Sequence, residues 1–176
     1  LQRAAGATER LLELLDSKAL IQDLENPKPL PSEIRGALSL QNLGFSYPSR
    51  PDQNALEGID LEIEAGMTLA LVGPSGAGKS TLLDLMLRFY DPQHGSIRFE
   101  GIELRELALE DLRRQIAMVP QQPFLFSASV EENLRYGKPT ASMEEIMMAA
   151  ERAHASEFIE DLPKGYDSFL GEKGVR

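Results

Sequence analysis

The sequence has 176 residues, a formal net charge of −10 at pH 7, 42% hydrophobic residues and no cysteine. Its length and composition are typical of one globular domain with an appendage. The acidic charge argues against a nucleic-acid partner, because binding to a phosphate backbone needs a clustered Lys and Arg surface. Without cysteine, the chain forms neither disulfides nor thiolate metal sites.

The N-terminal residues 1–31 are predicted to form a helix and a linker. Leucines and isoleucines recur at mostly helical spacing over residues 8–24, and the prolines within residues 26–31 interrupt that pattern. No apolar run in the sequence approaches the roughly 20 residues that span a bilayer, so we expect the chain itself to be soluble. It begins at Leu1 without an initiator Met and ends at Arg176 without an evident structural stop, so we expect a piece of a longer protein.

After the linker, alternating apolar and polar residues predict half-buried antiparallel strands. The alternation runs through Leu38 and Leu40, through Phe45 and Tyr47, and then through residues 59–63. Further along, Ile97 and Phe99 indicate a short strand, residues 104–114 a short helix, and residues 116–119 a buried strand. From about residue 127 the pattern becomes helical, and two possible capping boxes are Ser129 with Glu132 and Ser142 with Glu145.

The strongest motif is a glycine-rich loop between a predicted strand and a predicted helix. The match to Gly-x4-Gly-Lys-Ser/Thr consists of Gly73, Pro74, Ser75, Gly76, Ala77, Gly78, Lys79 and Ser80, with Thr81 following. Residues 67–72 before it form a continuous apolar run, which is typical of a strand covered on both faces. Apolar residues over 82–87 predict the helix after it. Because a helix N-terminus directs unpaired N–H groups and the positive end of its dipole at an anion, the sequence predicts a phosphate-binding loop.

Each residue type in this loop suits that chemistry. Glycines let the backbone wrap closely around phosphate oxygens, and Lys79 brings a compact positive charge to the outer phosphates. Ser80 supplies a hydroxyl for a magnesium ion that bridges the phosphates. The alternative interpretation is an empty glycine turn with a surface lysine, and the strand and helix on either side favour nucleotide binding.

Four segments together resemble the nucleotide-binding domains of ABC exporters. They are Phe-Ser-Tyr-Pro at 45–48, the glycine loop, Val-Pro-Gln-Gln-Pro-Phe-Leu-Phe at 119–126, and Ser-Val-Glu-Glu-Asn-Leu at 129–134. The resemblance covers residues 38–175. It implies an α/β fold with a P-loop NTPase core, an antiparallel β subdomain and the start of an α-helical subdomain from about residue 127. Residues 32–176 would then be a partial nucleotide-binding domain, and residues 1–31 would lead in from a membrane domain.

The resemblance also implies roles for two residues outside the loop. Tyr47 corresponds to the aromatic residue that stacks on adenine, and the alternative is a half-buried strand tyrosine. Gln121 corresponds to a glutamine that contacts the magnesium ion or the attacking water, and the adjacent Gln122 is the competing assignment. A neutral amide suits that position because its oxygen accepts hydrogen bonds or coordinates a cation without adding charge. Residues 171–174 resemble a segment that contacts the membrane domain.

Several elements that the family uses for hydrolysis are not found in the 176 residues. These are a strand that ends in an acidic pair, the signature Leu-Ser-Gly-Gly-Gln segment and a switch histidine. Residues 158–161 end in two acids but are predicted to close a helix, and neither His94, predicted in a turn, nor His154, predicted in a helix, has a catalytic partner at a recognisable spacing. We therefore expect the fragment to bind nucleotide weakly and to hydrolyse it negligibly.

By the resemblance, the full protein binds ATP and Mg²⁺ at the cytoplasmic face of a membrane. Its partners are a transmembrane domain and a second nucleotide-binding domain. The main alternative class is a P-loop kinase or another P-loop NTPase. A kinase needs an arginine-bearing lid and a GTPase a guanine-reading Asn-Lys-x-Asp segment, and no such pattern is recognisable in the sequence.

Overall fold

The computed structural model describes residues 12, 15, 19 and 21–171. The chain divides between Ala117 and Met118 into two compact units. In the described part of the chain, no helix combines the length and the apolar character needed to cross a membrane.

The first unit is built on a four-stranded antiparallel sheet. Its strands are β1 (Leu38–Ser46), β2 (Asn54–Ile63), β3 (His94–Phe99) and β4 (Ile102–Glu103), and they lie in the order β2-β1-β3-β4. Leu38 pairs with Ile63 on one side of β1 and with Phe99 on the other. The predicted antiparallel strands are therefore confirmed. His94, predicted in a turn, is the first residue of β3 and is exposed.

One helix of the first unit packs against this sheet and carries the glycine loop at its start. This helix, α1 (Lys79–Met86), buries Leu82 and Leu85 against the sheet, where Leu40, Leu43 and Phe45 complete the core. A 3₁₀ turn (Leu104–Glu106) and α2 (Leu109–Arg114) follow β4. The single helix predicted over residues 104–114 is thus broken, because Leu107 and Ala108 adopt extended backbone angles and Leu107 is buried.

The second unit is mainly helical. It contains β5 (Ala128–Ser129), α3 (Val130–Arg135), α4 (Met143–Arg152), α5 (Ser156–Glu160), a 3₁₀ turn (Gly165–Asp167) and β6 (Phe169–Leu170), which pairs with β5. Val130, Ala150 and Ile159 form its core. Both predicted capping boxes are present, at Ser129 and at Ser142. His154 lies just beyond α4 with φ of 55°, so its predicted place inside a helix is wrong.

Two predicted buried strands are not strands in this structure. Residues 67–72 and 116–119 have no regular structure, and Val72 and Val119 are 89% and 95% exposed. A strand buried on both faces needs hydrogen-bonded neighbours and a cover on each side. No described residue pairs with either segment, so the sheet expected around the glycine loop is incomplete.

The N-terminal prediction lies largely outside the described residues. Leu12 and Leu15 are helical, whereas Ala19 and residues 21–24 are not, so the helix predicted to reach Leu24 ends earlier. The physical reason is that Gln22 and Asp23 form hydrogen bonds with residues outside the helix. The Gln22 carbonyl accepts from Arg88, and the Asp23 carboxylate accepts from the Leu109 amide. Of residues 171–174, the structure describes only Gly171.

Candidate functional site

The glycine loop opens α1 as the sequence predicts. Gly76 and Gly78 have φ of 81° and 83°, in the left-handed region that glycine adopts without steric cost. Gly78 is the residue that caps the helix, and no side chain caps it. The unpaired N–H groups of the first helical turn therefore face the loop, which is the arrangement that attracts an anion.

Gly78 also has a packing role. A Cβ atom at this position would lie 2.6 Å from both the Ala55 carbonyl oxygen and the Leu56 Cδ2, which belong to β2. At Gly76 the same added atom would meet nothing within 4 Å. Gly78 is thus required by the turn and by the close approach of β2, whereas Gly76 is required by the turn alone.

Lys79 folds back across the loop. Its Nζ donates to the Gly73 carbonyl over 2.8 Å and to the Pro74 carbonyl over 2.7 Å. Hydrogen bonds from an ammonium to a charged oxygen are about twice as strong as those between neutral groups, so a phosphate oxygen competes well for this donor. The Lys79 ammonium therefore lies across the glycine loop.

Two hydroxyl side chains follow Lys79, and their environments differ. Ser80 is exposed, whereas Thr81 is only 6% exposed and its hydroxyl faces Tyr47. Among the described residues, no group of three or more His, Asp or Glu side chains is arranged to hold a metal ion. The Ser80 hydroxyl fits magnesium, which commonly takes one or two protein oxygens together with substrate phosphates.

Tyr47 lies immediately after β1 and contacts α1 through its hydroxyl. The phenol oxygen is 3.0 Å from Thr81 Oγ1 and 3.1 Å from Asp84 Oδ2. The rings of Phe45 and Tyr90 meet the Tyr47 ring nearly at right angles, with centroids 5.0 Å and 5.3 Å away. Burial raises the pKa of the Tyr47 phenol, the Thr81 hydroxyl opposes this, and the Asp84 carboxylate adds to the rise.

A cavity of about 470 Å³ is lined in part by Tyr47. Its remaining walls come from β1, from the turn between β1 and β2, from the first half of β2, and from Gln93 and His94. No residue of the glycine loop lines it. The cavity is therefore separate from the glycine loop, and Tyr47 belongs to its lining as well as contacting α1.

Gln121 and Gln122 belong to the second unit, where both are exposed in a bend. A few residues later, the Asn133 side chain bonds both the amide and the carbonyl of Phe126, over 2.8 Å and 3.0 Å. This pairing fixes the end of the segment that carries the two glutamines. Exposed aromatic rings follow, with Phe126 against Phe124 and Tyr136.

The structure thus brings the Tyr47 hydroxyl to Thr81, which follows Lys79 and Ser80 in the first turn of α1, and it places Gln121 in the other unit. Sequence reasoning missed the contributions of Asp84 and Asn133. Asp84 gave no signal, because its partner is 37 residues away. Asn133 lies in the segment Ser-Val-Glu-Glu-Asn-Leu at residues 129–134, but its contact with Phe126 has no periodic signature in the sequence.

A glycine loop at the start of a helix, with a lysine across it, defines a P-loop protein. The profile of the family described as "ABC transporter" matches residues 56–169. The chain is 45% identical to ABC transporter B family member 21 of Arabidopsis thaliana over 98% of this chain and 14% of that protein. It is 41% identical to multidrug resistance protein pgp-1 of Caenorhabditis elegans, again over 98% of this chain and over 13% of the relative.

Among solved structures, the chain is similar to a bacterial Atm1-family ABC exporter with ATP bound. The TM-score is 0.89 at 35% sequence identity, over 98% of this chain and 30% of that chain. This chain belongs to the ABC transporter family and is part of a nucleotide-binding domain of the exporter type. It spans about a seventh of the length of the relatives it matches.

Proposed function

We propose that this chain forms the phosphate-binding and adenine-binding part of an ATP site, and that the full protein uses ATP binding and hydrolysis to drive export across a membrane. The observation that carries the proposal is the Lys79 ammonium across a glycine loop at an uncapped helix start. The 35% identical exporter was solved with ATP bound, which supports ATP as the ligand.

Each site residue has a role in this proposal. The loop residues Gly73 to Gly78 surround the phosphates with backbone N–H groups, Lys79 pairs with the outer phosphates and Ser80 ligates Mg²⁺. Tyr47 contributes a flat ring for adenine, and Thr81 supports that ring through its hydroxyl. In the full protein, Gln121 contacts the Mg²⁺ ion or the attacking water. Magnesium would neutralise phosphate charge at this site.

The partners of the full protein are a transmembrane domain and a second nucleotide-binding domain, at the cytoplasmic face of the membrane. The relatives that this chain matches include a B-family ABC transporter and a multidrug resistance protein. Their names support this assembly. The chain alone is proposed to hydrolyse ATP negligibly. A steady ATPase rate of the chain alone that Lys79→Ala abolishes would contradict that proposal.

The experiment is equilibrium binding of a fluorescent ATP analogue with Mg²⁺. We expect saturable binding to the chain that Lys79→Ala weakens by about 10-fold to 100-fold, since a charge-assisted hydrogen bond contributes about 1.5–3 kcal/mol. Lys164→Ala, which removes an exposed lysine of the second unit, is the matched control and should bind like the wild type. Binding that GTP displaces as well as ATP does would instead contradict the proposed adenine-binding role of Tyr47.

A second experiment separates the two glutamines. In the full-length protein, Gln121→Ala should lower kcat for ATP hydrolysis at least 10-fold with little change in ATP affinity, because its amide acts on the metal or the water. Gln122→Ala is the matched control in the same bend. The reverse pattern would transfer the role to Gln122.

A further inference from the structure

The contact between Tyr47 and α1 fixes the tyrosine hydroxyl from two directions. Thr81 and Asp84 are three residues apart on α1, so their side chains share one face of the helix. Both reach the phenol oxygen, over 3.0 Å and 3.1 Å. The hydroxyl of a residue outside the helix is therefore tied to the helix that begins with Lys79.

The protons in this contact have one arrangement that satisfies all three groups. An ionised carboxylate only accepts hydrogen bonds, so the phenol proton goes to Asp84. The Thr81 hydroxyl then donates its own proton to the phenol oxygen. Burial is the main cause that raises the pKa of Tyr47, and within this contact the Thr81 hydroxyl lowers the pKa while the Asp84 carboxylate raises it.

The ring is constrained as well as the hydroxyl. A tyrosine side chain has two rotatable χ angles. The edge-on contacts with Phe45 and Tyr90, at interplanar angles of 79° and 86°, restrict the ring, and the hydroxyl anchors its far end. The plane of the Tyr47 ring is therefore set relative to α1, and hence relative to Lys79 and Ser80 in the first turn of that helix.

We propose that Asp84 is a positioning residue for adenine recognition, acting with Thr81 through the Tyr47 hydroxyl. This inference rests on the proposed ATP site and deepens it. A ring held at a set distance from the phosphate loop favours a ligand in which a planar base and a triphosphate are joined by a spacer of matching length. Asp84 itself does not contact the nucleotide. It restricts the tyrosine ring before the ligand arrives, so the ring loses less conformational entropy on binding.

The test compares two ligands, Mg·ATP and inorganic triphosphate, on the intact chain. The variants are Tyr47→Phe, which keeps the ring, Asp84→Ala, Asp84→Asn and the double variant Tyr47→Phe/Asp84→Ala. We expect Tyr47→Phe and Asp84→Ala each to weaken ATP binding about threefold to tenfold, the range of one hydrogen bond. The double variant should be no weaker than the worse single one, because both remove the same contact. Asp84→Asn, which keeps an acceptor, should recover most of the affinity.

The affinity for triphosphate distinguishes a positioning role from a general loss of structure, because damage to the fold would lower it. Its affinity should stay within about twofold of wild type in every variant, which also shows that the phosphate loop is intact. The control Asp111→Ala removes an exposed carboxylate from α2 and should leave both affinities unchanged.

Two other outcomes would overturn the inference in distinguishable ways. If ATP and triphosphate affinities change equally in Asp84→Ala, the residue acts through its charge or through the fold, and the positioning role is wrong while the ATP site stands. If the folded wild-type chain binds neither ligand, the proposed ATP site fails, and the positioning role fails with it.

Discussion

The Arg88 guanidinium donates a hydrogen bond to the backbone carbonyl of Gln22, 66 residues earlier in the chain, over 3.2 Å. The same side chain is 3% exposed, donates to the Leu107 carbonyl over 3.0 Å and pairs with Asp91. Asp23, the residue after Gln22, lies 3.8 Å from the guanidinium and accepts from the Leu109 amide. The end of α1, the start of α2 and residues 22–23, which begin the linker in this structure, are therefore joined through one buried arginine.

Replacing this arginine should loosen the linker and lower stability. We expect Arg88→Met to reduce the free energy of unfolding by about 2–4 kcal/mol, because a buried carbonyl and a carboxylate lose their donor. The free energy of unfolding of Arg88→Lys should lie between those of the wild type and Arg88→Met, since an ammonium keeps the charge but lacks the planar guanidinium fork. Urea unfolding measures the effect, and hydrogen exchange at Gln22 and Asp23 reports the linker. Arg98→Met, at an exposed arginine of β3, gives the baseline, and an equal loss in both variants would refute the role of Arg88.

The two central glycines of the phosphate loop should respond differently to alanine. Both have positive φ, so each substitution costs about 1–2 kcal/mol of backbone strain. At Gly78 the new methyl group also meets the backbone of β2, which adds about 1–3 kcal/mol. Thermal unfolding of Gly78→Ala beside Gly76→Ala measures the difference, and equal losses of stability would mean that β2 moves aside at no cost.

The Glu100 carboxylate should make stability depend on pH. Partial burial by itself would raise the pKa of this carboxyl, but the amides of Ala37, Gly36 and Arg35 donate to it and hold the pKa below its ordinary 4.5. A folded-state pKa that is depressed contributes stability above the ordinary value, and this is lost as the pH falls through the folded value.

We therefore expect Glu100→Gln to lower the free energy of unfolding by about 1 kcal/mol at pH 7, because glutamine keeps an acceptor for the amides but loses the charge that strengthens each bond. The difference from wild type should shrink below pH 4.5 as the wild-type carboxyl becomes protonated. Unfolding curves across this range measure it, with the exposed Glu57→Gln as the reference variant. A difference that stays constant down to the lowest pH at which the protein folds would count against the role of the carboxylate.

The capping box at the start of α4 offers a prediction for the second unit. Ser142 Oγ accepts from the Glu145 amide over 3.2 Å, and the Glu145 carboxylate accepts from the Ser142 amide over 2.9 Å. Ser142→Ala should cost about 1 kcal/mol and Ser142→Gly only a few tenths. Ser156→Ala is the control, because Ser156 lies inside α5 and Ala155 holds the capping position there. Circular dichroism during urea unfolding provides the comparison.

Features that depend on neighbouring residues were predictable from the sequence. The alternation of apolar and polar residues predicted β1 and β2, which pair in the structure. The Ser-x-x-Glu spacings predicted both capping boxes, and the Gly-x4-Gly-Lys-Ser motif predicted a loop at the start of a helix. In each case the signal and the structure lie within one turn or one strand.

Features that depend on distant residues were not predictable in this way. The apolar composition of residues 67–72 indicates that the side chains suit an apolar environment, but it does not identify the strands that would pair with this segment. The contacts of Tyr47 with Asp84 and of Arg88 with Gln22 join residues with no shared periodicity. Such contacts are decided by tertiary packing, so only coordinates reveal them.

The exposed run at residues 67–72 has a consequence for handling the isolated chain. An unpaired apolar segment offers its backbone and side chains to the same segment of another molecule. The net charge of −10 opposes that contact near pH 7, and this repulsion disappears as the solution approaches the isoelectric point of about 4.7. Sedimentation should therefore detect self-association that grows with concentration and with acidification, and Val72→Lys should suppress it.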